Sequence, residues 1–236
     1  RIIKVPNTWL KAAPLAATVI YSMGQVTGLI EGLGLIELIP GQKLSIGSKI
    51  TVGEGSLTLR FSDGSTLVMG AQSELVINSV SAFKQNKAHE IEVHLPRGDV
   101  QISVPKREPR TRFRVRTPAA VAAVRGTKYR VNTEVDTGAM RSEVLEGVVA
   151  VESGGDGVDL SAGFGIHAEP NQPLNKPTKL LLAPEWDLSC NDPGFVAWER
   201  NELAKNYQLA LLEDDVSMDK VIATVVVSDN NYTFDG

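Results

Sequence analysis

The stretch "LSIGSKITVGEGSLTLRFSDGSTLVMG", Leu44 to Gly70, decides the fold class. Leu57, Leu59 and Phe61 fall on one side of an extended chain, and Ser56, Thr58 and Arg60 fall on the other. That period of two is the mark of a half-buried strand, because successive side chains leave a pleated backbone on opposite faces. Asp63-Gly64 sits between Leu57–Phe61 and a second apolar run, Thr66–Met69, which predicts a tight hairpin.

Outward from this stretch the same grammar continues. "HEIEVHLPRGDVQISV" alternates through Ile91, Val93 and Leu95, and resumes with Val100, Ile102 and Val104. "RTRFRVRT" sends Phe113 and Val115 inward and its arginines outward. "TKYRVNTE" and "MRSEVLEGVVAVES" give further strands, with turns at Asp136 to Gly138 and at Glu146-Gly147. Upstream, "AATVIYSMGQVTG" reads as a strand, a turn at Gly24 and a second strand. Short strands at this spacing, with glycine-bearing turns and no convincing helix, predict an all-β protein, solenoid-like or sandwich-like.

Four regions are expected: an introductory β segment over 1–34, an all-β domain over 35–168, a linker over 169–179 and a small β unit over 180–236. The linker carries three prolines among polar residues. In the last unit a strand is centred on Val196 to Trp198, and Tyr207, Leu209 and Leu211 alternate along another. A helix over Glu199–Leu212 is the alternative there, since Ala, Leu, Glu and Lys are common in it. At about 55 residues this unit is small for a free β domain, so it packs on the first or is cut short. The chain opens on Arg1, as a processed product or a fragment would.

Composition narrows the function. With 42% hydrophobic residues, 22% charged, 21 Gly and 12 Pro, the chain is globular and rich in turns. Cys190 is the lone cysteine, so neither an intrachain disulfide nor a four-cysteine zinc site can form. Ala12 to Ile20 is too short to span a bilayer, and no transmembrane segment is expected. His89, His94 and His167 lack the close spacing of a zinc motif. The glycine-rich "GEGS", "SGGDG" and "AGFG" lack the lysine and serine of a phosphate loop. "SDGS" and "SGGDGVD" lack the full set of calcium ligands. No nucleophile, base and orienting group can be joined from the sequence. No enzyme, catalytic residue, metal or cofactor is therefore expected.

What remains is binding. The window Arg97 to Arg130 holds ten basic residues against Asp99 and Glu108. Arg110, Arg112, Arg114 and Arg116 alternate and should line one strand face, a stripe able to meet an acidic protein surface or an anionic polymer. The competing reading is a solvated face whose carboxylate partners come from neighbouring strands. Nucleic acid is not expected: Phe113 and Tyr129 are the aromatics in the window, and Phe113 should point inward. Arg125, before Gly126-Thr127, presents a charge to a partner or belongs to a structural Arg-Gly-Thr crossing; the structural reading is favoured. Trp186, Trp198 and Tyr207 read as core aromatics, with a glycan platform as the alternative.

Three ordered stretches then carry a family resemblance: "LIPGQKLSIGSKITVGEGSLTLRFSDGSTLVMGAQSELVI", "FRVRTPAAVAAVRGTKYRV" from Phe113 to Val131, and "VLEGVVAVES" with "DLSAGFG". From about Leu38 to Ala168 the chain resembles the periplasmic domain of the FecR family, the iron-dicitrate sensors and sigma-factor regulators. The opening is similar to the segment after a LysM module in larger FecR-domain envelope proteins. "LLLAPEWDL", "FVAWE" and "YQLAL" look like the start of an Ig- or fibronectin-like domain. The resemblance implies an exported protein of the periplasm or cell envelope. It would act as a protein-interaction or scaffold module linked to signal sensing. Its expected partner is an envelope protein, with peptidoglycan or another glycan as the alternative.

Overall fold

A computed structural model describes residues 10–12, 17–83, 89–106, 111–124, 126–187, 194–212 and 221–234. In chain order the strands are β1 (Leu10–Ala12), β2 (Ala17–Ile30), β3 (Gly34–Glu37), β4 (Lys43–Leu44), β5 (Lys49–Phe61), β6 (Thr66–Met69) and β7 (Ser73–Phe83). There follow β8 (His89–Ser103), β9 (Thr111–Arg116), β10 (Val121–Val124), β11 (Lys128–Thr133), β12 (Met140–Glu146), β13 (Val148–Ser153), β14 (Asp156–Ser161), β15 (Phe164–Ala168) and β16 (Thr178–Lys179). The remainder are β17 (Trp186–Asp187), β18 (Phe195–Trp198), β19 (Tyr207–Leu212), β20 (Val221–Val227) and β21 (Asn231–Thr233). The chain divides into two compact units, Arg1–Lys179 and Leu180–Gly236. The all-β class read from the alternation holds throughout the described residues.

In the first unit one hydrogen-bonded sheet is folded over into two layers, and its long strands pass through both. The first part of β5 pairs with β7 (Ile50↔Leu75), whereas its second part pairs with β6 (Leu59↔Leu67). Likewise β8 pairs first with β7 and, in parallel, with β9 (Glu92↔Arg114), then with β6 and β11 (Ile102↔Leu67, Ile102↔Tyr129). A parallel neighbour requires the chain to cross over between β8 and β9, so this part coils as well as stacks. Beyond it, hairpins alternate between layers: β9–β10 in one, β11–β12 in the other, β13–β14 back in the first, β15–β16 in the second.

Between the layers lies a single apolar core. The Phe61 ring from one layer meets the Phe113 ring from the other edge to face, centroids 5.2 Å apart. Leu57, Leu59, Ile91, Val93, Ile102, Val115, Tyr129 and Val149 are all inaccessible to solvent. At about 25 cal/mol per Å², burial on this scale is the main force holding the two layers together.

Two sequence expectations are corrected. Gly24 makes no hairpin: β2 runs on through it, with register shifts on either side. Gly24 lies directly opposite Gly55 of β5, and a β-carbon on either would come within about 2.1 Å of a carbonyl oxygen on the facing strand. The two backbones bend together where neither carries a side chain, so the pair turns the corner between layers rather than reversing direction. Second, Ser56 and Thr58 are as buried as Leu57 and Leu59, so this part of β5 is covered on both faces.

The hairpin at Asp63-Gly64 forms as expected, with Arg60↔Thr66 and Leu59↔Leu67 in register. Asp63 accepts bonds from the backbone N–H of Ser65 (3.0 Å) and from its hydroxyl (2.5 Å). The segment 169–179 lies along the first unit: Leu174 packs against its core and β16 pairs with β15.

The second unit holds a three-stranded sheet, β17-β18-β21, and a two-stranded one, β19-β20. Tyr207–Leu212 is a strand and not a helix, its apolar alternation prevailing over helix propensity. Cys190 lies outside the described residues.

Candidate functional site

The outer face of β9, β10, β13 and β14 carries the arginine stripe. Registers place it in rows. Arg114 stands beside Ala123, then Ala150, then Asp159; Arg116 stands beside Val121, then Glu152, then Gly157. Long side chains flank short ones, so the face is hollow along β10. The resulting groove encloses about 870 Å³, with Lys106, Gly126 and Gly147 at one end. Its floor is Val121, Ala123 and Ala150, its cationic wall Arg112, Arg114 and Arg116, and its opposite wall Glu152 and Asp159.

The arginines are not equivalent. Arg114 Nη1 lies 2.7 Å from Glu90 Oε1 and 3.8 Å from Glu92 Oε2. Arg116 Nε lies 3.3 Å from Glu92 Oε1. For these two, carboxylates from the neighbouring strand answer the charge, as in the solvated-face reading. Arg112 and Lys106 are exposed and have no ion-pair partner among the described residues, and neither do Glu152 and Asp159. The free cations therefore sit toward the Gly126 and Gly147 end, and the free acids lie in the rows of Arg114 and Arg116. Arg110 and Arg125, the other members of the expected set, lie outside the described residues.

Behind the groove the loops are structural. Thr117 Oγ1 accepts bonds from the N–H groups of Ala119 (3.3 Å) and Ala120 (3.1 Å), which closes the β9–β10 turn. Ser153 Oγ donates to the Ala119 carbonyl at 2.8 Å, fixing that turn to β13. Gly126 and Gly147 take φ of +71° and +84° at the crossings from β10 to β11 and from β12 to β13. Both conformations are costly for any residue with a side chain. Thr127 Oγ1 donates to the Val148 carbonyl at 3.1 Å, so the Arg-Gly-Thr phrase binds one crossing to the other.

Near the stripe, burial first and Arg116 second lower the pKa of His94, against an opposing pull from Glu92. His167 accepts from or donates to Asn175 at 3.3 Å on the other layer. Among the described residues no group of three or more His, Cys, Asp or Glu could hold a metal ion. Phe113 and Tyr129 are fully buried, so neither offers a face on which a base could stack.

The three aromatics of the second unit form a small core. Trp198 is 3% exposed, and its ring meets Trp186 at 6.0 Å and 87°, and Tyr207 at 5.3 Å and 65°. The Tyr207 hydroxyl accepts a 2.7 Å bond from the Asn201 N–H. Edge-to-face contact around a buried centre leaves no flat three-ring platform, and Trp186 alone is substantially exposed, at 59%. Trp198 fits the core reading of these aromatics: among the described residues its ring is the buried centre of the cluster.

The sequence singled out the stripe through its alternation. It missed the opposite wall, Glu152 and Asp159, and the floor between them, because β9, β10, β13 and β14 come together only by pairing. The small residues of "AAVAAV" and "GVVAVES" were the one signal that could have pointed to the floor.

The first unit is thus an all-β, two-layer domain with a charged groove on one outer face. Residues 48–150 match the family model described as FecR protein, and this stretch is a FecR domain. No curated protein matches the chain. Two crystal structures of an assigned anti-sigma factor from Parabacteroides distasonis ATCC 8503 are similar to it, each at 20% identity, with TM-scores of 0.46 and 0.47. Each likeness covers 56% of this chain and 59% of the other, so the chain spans a little over half the length of those proteins. Among the described residues no helix is long and apolar enough to cross a membrane.

Proposed function

We propose that this protein is an extracytoplasmic regulatory module of the cell envelope. In this reading it works without catalysis, by holding another protein in the groove over β10. The FecR family is one of sensors and regulators, and the matched residues 48–150 include the groove's cationic wall, its floor and the Lys106 end. The observation that carries the reading is the unanswered charge of Arg112 and Lys106 beside an apolar floor. A rigid framework that leaves such a site open is suited to a protein contact. The edge-to-face packing around Trp198 speaks for protein rather than glycan as the partner.

A photo-crosslinking residue at Ala150, in the cells that make the protein, tests this. A control would carry the same residue at His167, on the other layer. A discrete protein adduct from Ala150, absent from His167 and unchanged by muramidase treatment, is the expected result. Adducts made only with peptidoglycan, or equally from both positions, would overturn it.

A further inference from the structure

The groove is polarised along its length. Phe113 and Val149 both pair with Val124, the last residue of β10, so Arg112 and Val148, each one residue before, flank the end of that strand. Lys106 reaches the same end: it lies against Gly126, where a β-carbon would fall 2.8 Å from its Cγ. Two exposed cations and a half-exposed valine therefore gather there. Among the described residues neither cation is paired. Glu90, the register neighbour of Arg112 on β8, is turned to Arg114 at 2.7 Å.

About 7 Å further along, two residues of strand, the character changes. Arg114 is held by Glu90 and Glu92, its row crosses Ala123 and Ala150, and the charge left over is that of Asp159. The next row repeats the pattern: Arg116 is held by Glu92, Val121 is the floor, and Glu152 is left over.

A groove cationic at one end and apolar, with unpaired acids, over the rest favours one negative charge and opposes a second. A carboxylate at the Lys106 end meets two cations that no other acid answers. On an extended chain lying along β10, the side chain two positions away falls over Ala123 and Ala150, by the same period of two that shapes a strand. An acid there would find no free cation and would stand in the row of Asp159. An apolar side chain there would cover apolar surface.

We propose that the groove docks an extended segment of a partner protein through a single acidic side chain seated at Lys106 and Arg112, with an apolar side chain two residues away on Ala123 and Ala150. This rests on the reading of the groove as a protein-docking site and names what the docked segment carries.

The test uses the full chain and labelled heptapeptides at low ionic strength, read by fluorescence anisotropy. The first peptide is Ser-Leu-Ser-Asp-Ser-Leu-Ser, symmetric about its acid so that either chain direction serves. A second has Lys in place of Asp, and a third has Asp in place of both leucines. The first should bind about tenfold tighter than either of the others. Lys106→Glu with Arg112→Glu should reverse the preference, so that the Lys peptide binds better than the first. Lys43→Glu with Lys179→Glu, an equal change of net charge at exposed residues outside the groove, should leave the preference intact. Lys106 and Arg112 are exposed, so folding, followed by circular dichroism, should be unaffected.

Equal binding of the first two peptides, tightest binding of the third, no binding, or the same loss from the Lys43 and Lys179 changes would overturn the inference. Binding of purified peptidoglycan that the Lys106 and Arg112 changes abolish would also overturn it, by assigning the carboxylate to the wall. An Ala150 protein crosslink that survives the Lys106 and Arg112 changes would leave the docking reading standing and sink only the acidic anchor.

Discussion

The Thr127 hydroxyl donates to the carbonyl of Val148 at 3.1 Å, so the crossing that leaves β10 is fastened to the residue that opens β13. These residues are 21 apart in sequence and adjacent at the end of the groove. Thr127 is buried, whereas Val148 is half exposed.

Thr127→Val keeps the shape and removes that donor. A hydrogen bond of this kind contributes a net of about 0.5–1.5 kcal/mol. Urea denaturation should show a loss in that range, and Thr127→Ser should recover most of it. If the serine variant were as unstable as the valine one, the methyl packing and not the hydroxyl would be what matters.

Gly55→Ala tests the corner between layers. Its β-carbon would fall 2.0 Å from the Met23 carbonyl oxygen, at φ of +132°. Neither backbone can move without breaking the β2–β5 ladder, so a loss of about 3 kcal/mol or more is expected. A thermal midpoint within a few degrees of the parent would show that the two strands separate there at little cost.

Asp99 supplies a pH signature. Burial is the largest influence and raises its carboxyl above 3.8; the hydrogen bond from Asn132 (2.9 Å) and the charges of Arg141 and Arg130 pull the other way. A raised carboxyl pKa means that the folded state holds the proton more tightly than the unfolded one. Its contribution to stability is therefore full below the unfolded value and is lost as pH rises through the folded value. Asp99→Asn removes this loss and keeps an acceptor for Asn132. The variant should be the more stable at pH 7, and the difference should vanish below about pH 4. An Asn variant less stable than the parent at pH 7 would show that the ionised carboxylate is favourable there.

In the second unit, Trp198→Ala should cost about 3–5 kcal/mol, as large truncations in a core do. Trp186→Ala, at an exposed ring, should cost well under half as much. Equal costs would mean that Trp186 is as much a part of the core as Trp198.

Much of this was legible in the chain. Leu57, Leu59 and Phe61 announce β5, Asp63-Gly64 announces the turn after it, and Phe113 and Val115 are correctly set inward, because period-two alternation and turn chemistry are local properties of the backbone. The FecR resemblance was legible too: the family match over residues 48–150 takes in the second stretch and parts of the other two. Gly24 was misread as a reversal because a glycine in an apolar run has the same local signal whether the chain turns or bends. Gly55, 31 residues on, decides between them by standing opposite.

The sequence by itself determined the strands, the inward and outward parity of their residues and the arginine alternation, all set by neighbours within a few positions. Only the tertiary structure decided which arginines are spent on Glu90 and Glu92, that Asp159 stands in the row of Arg114 and Glu152 in that of Arg116, and that a groove exists at all. Those facts depend on the pairing of β8 with β9 and of β10 with β13. Hydrogen bonds and a shared core fix that pairing between segments far apart in the chain, and no local pattern encodes the partner.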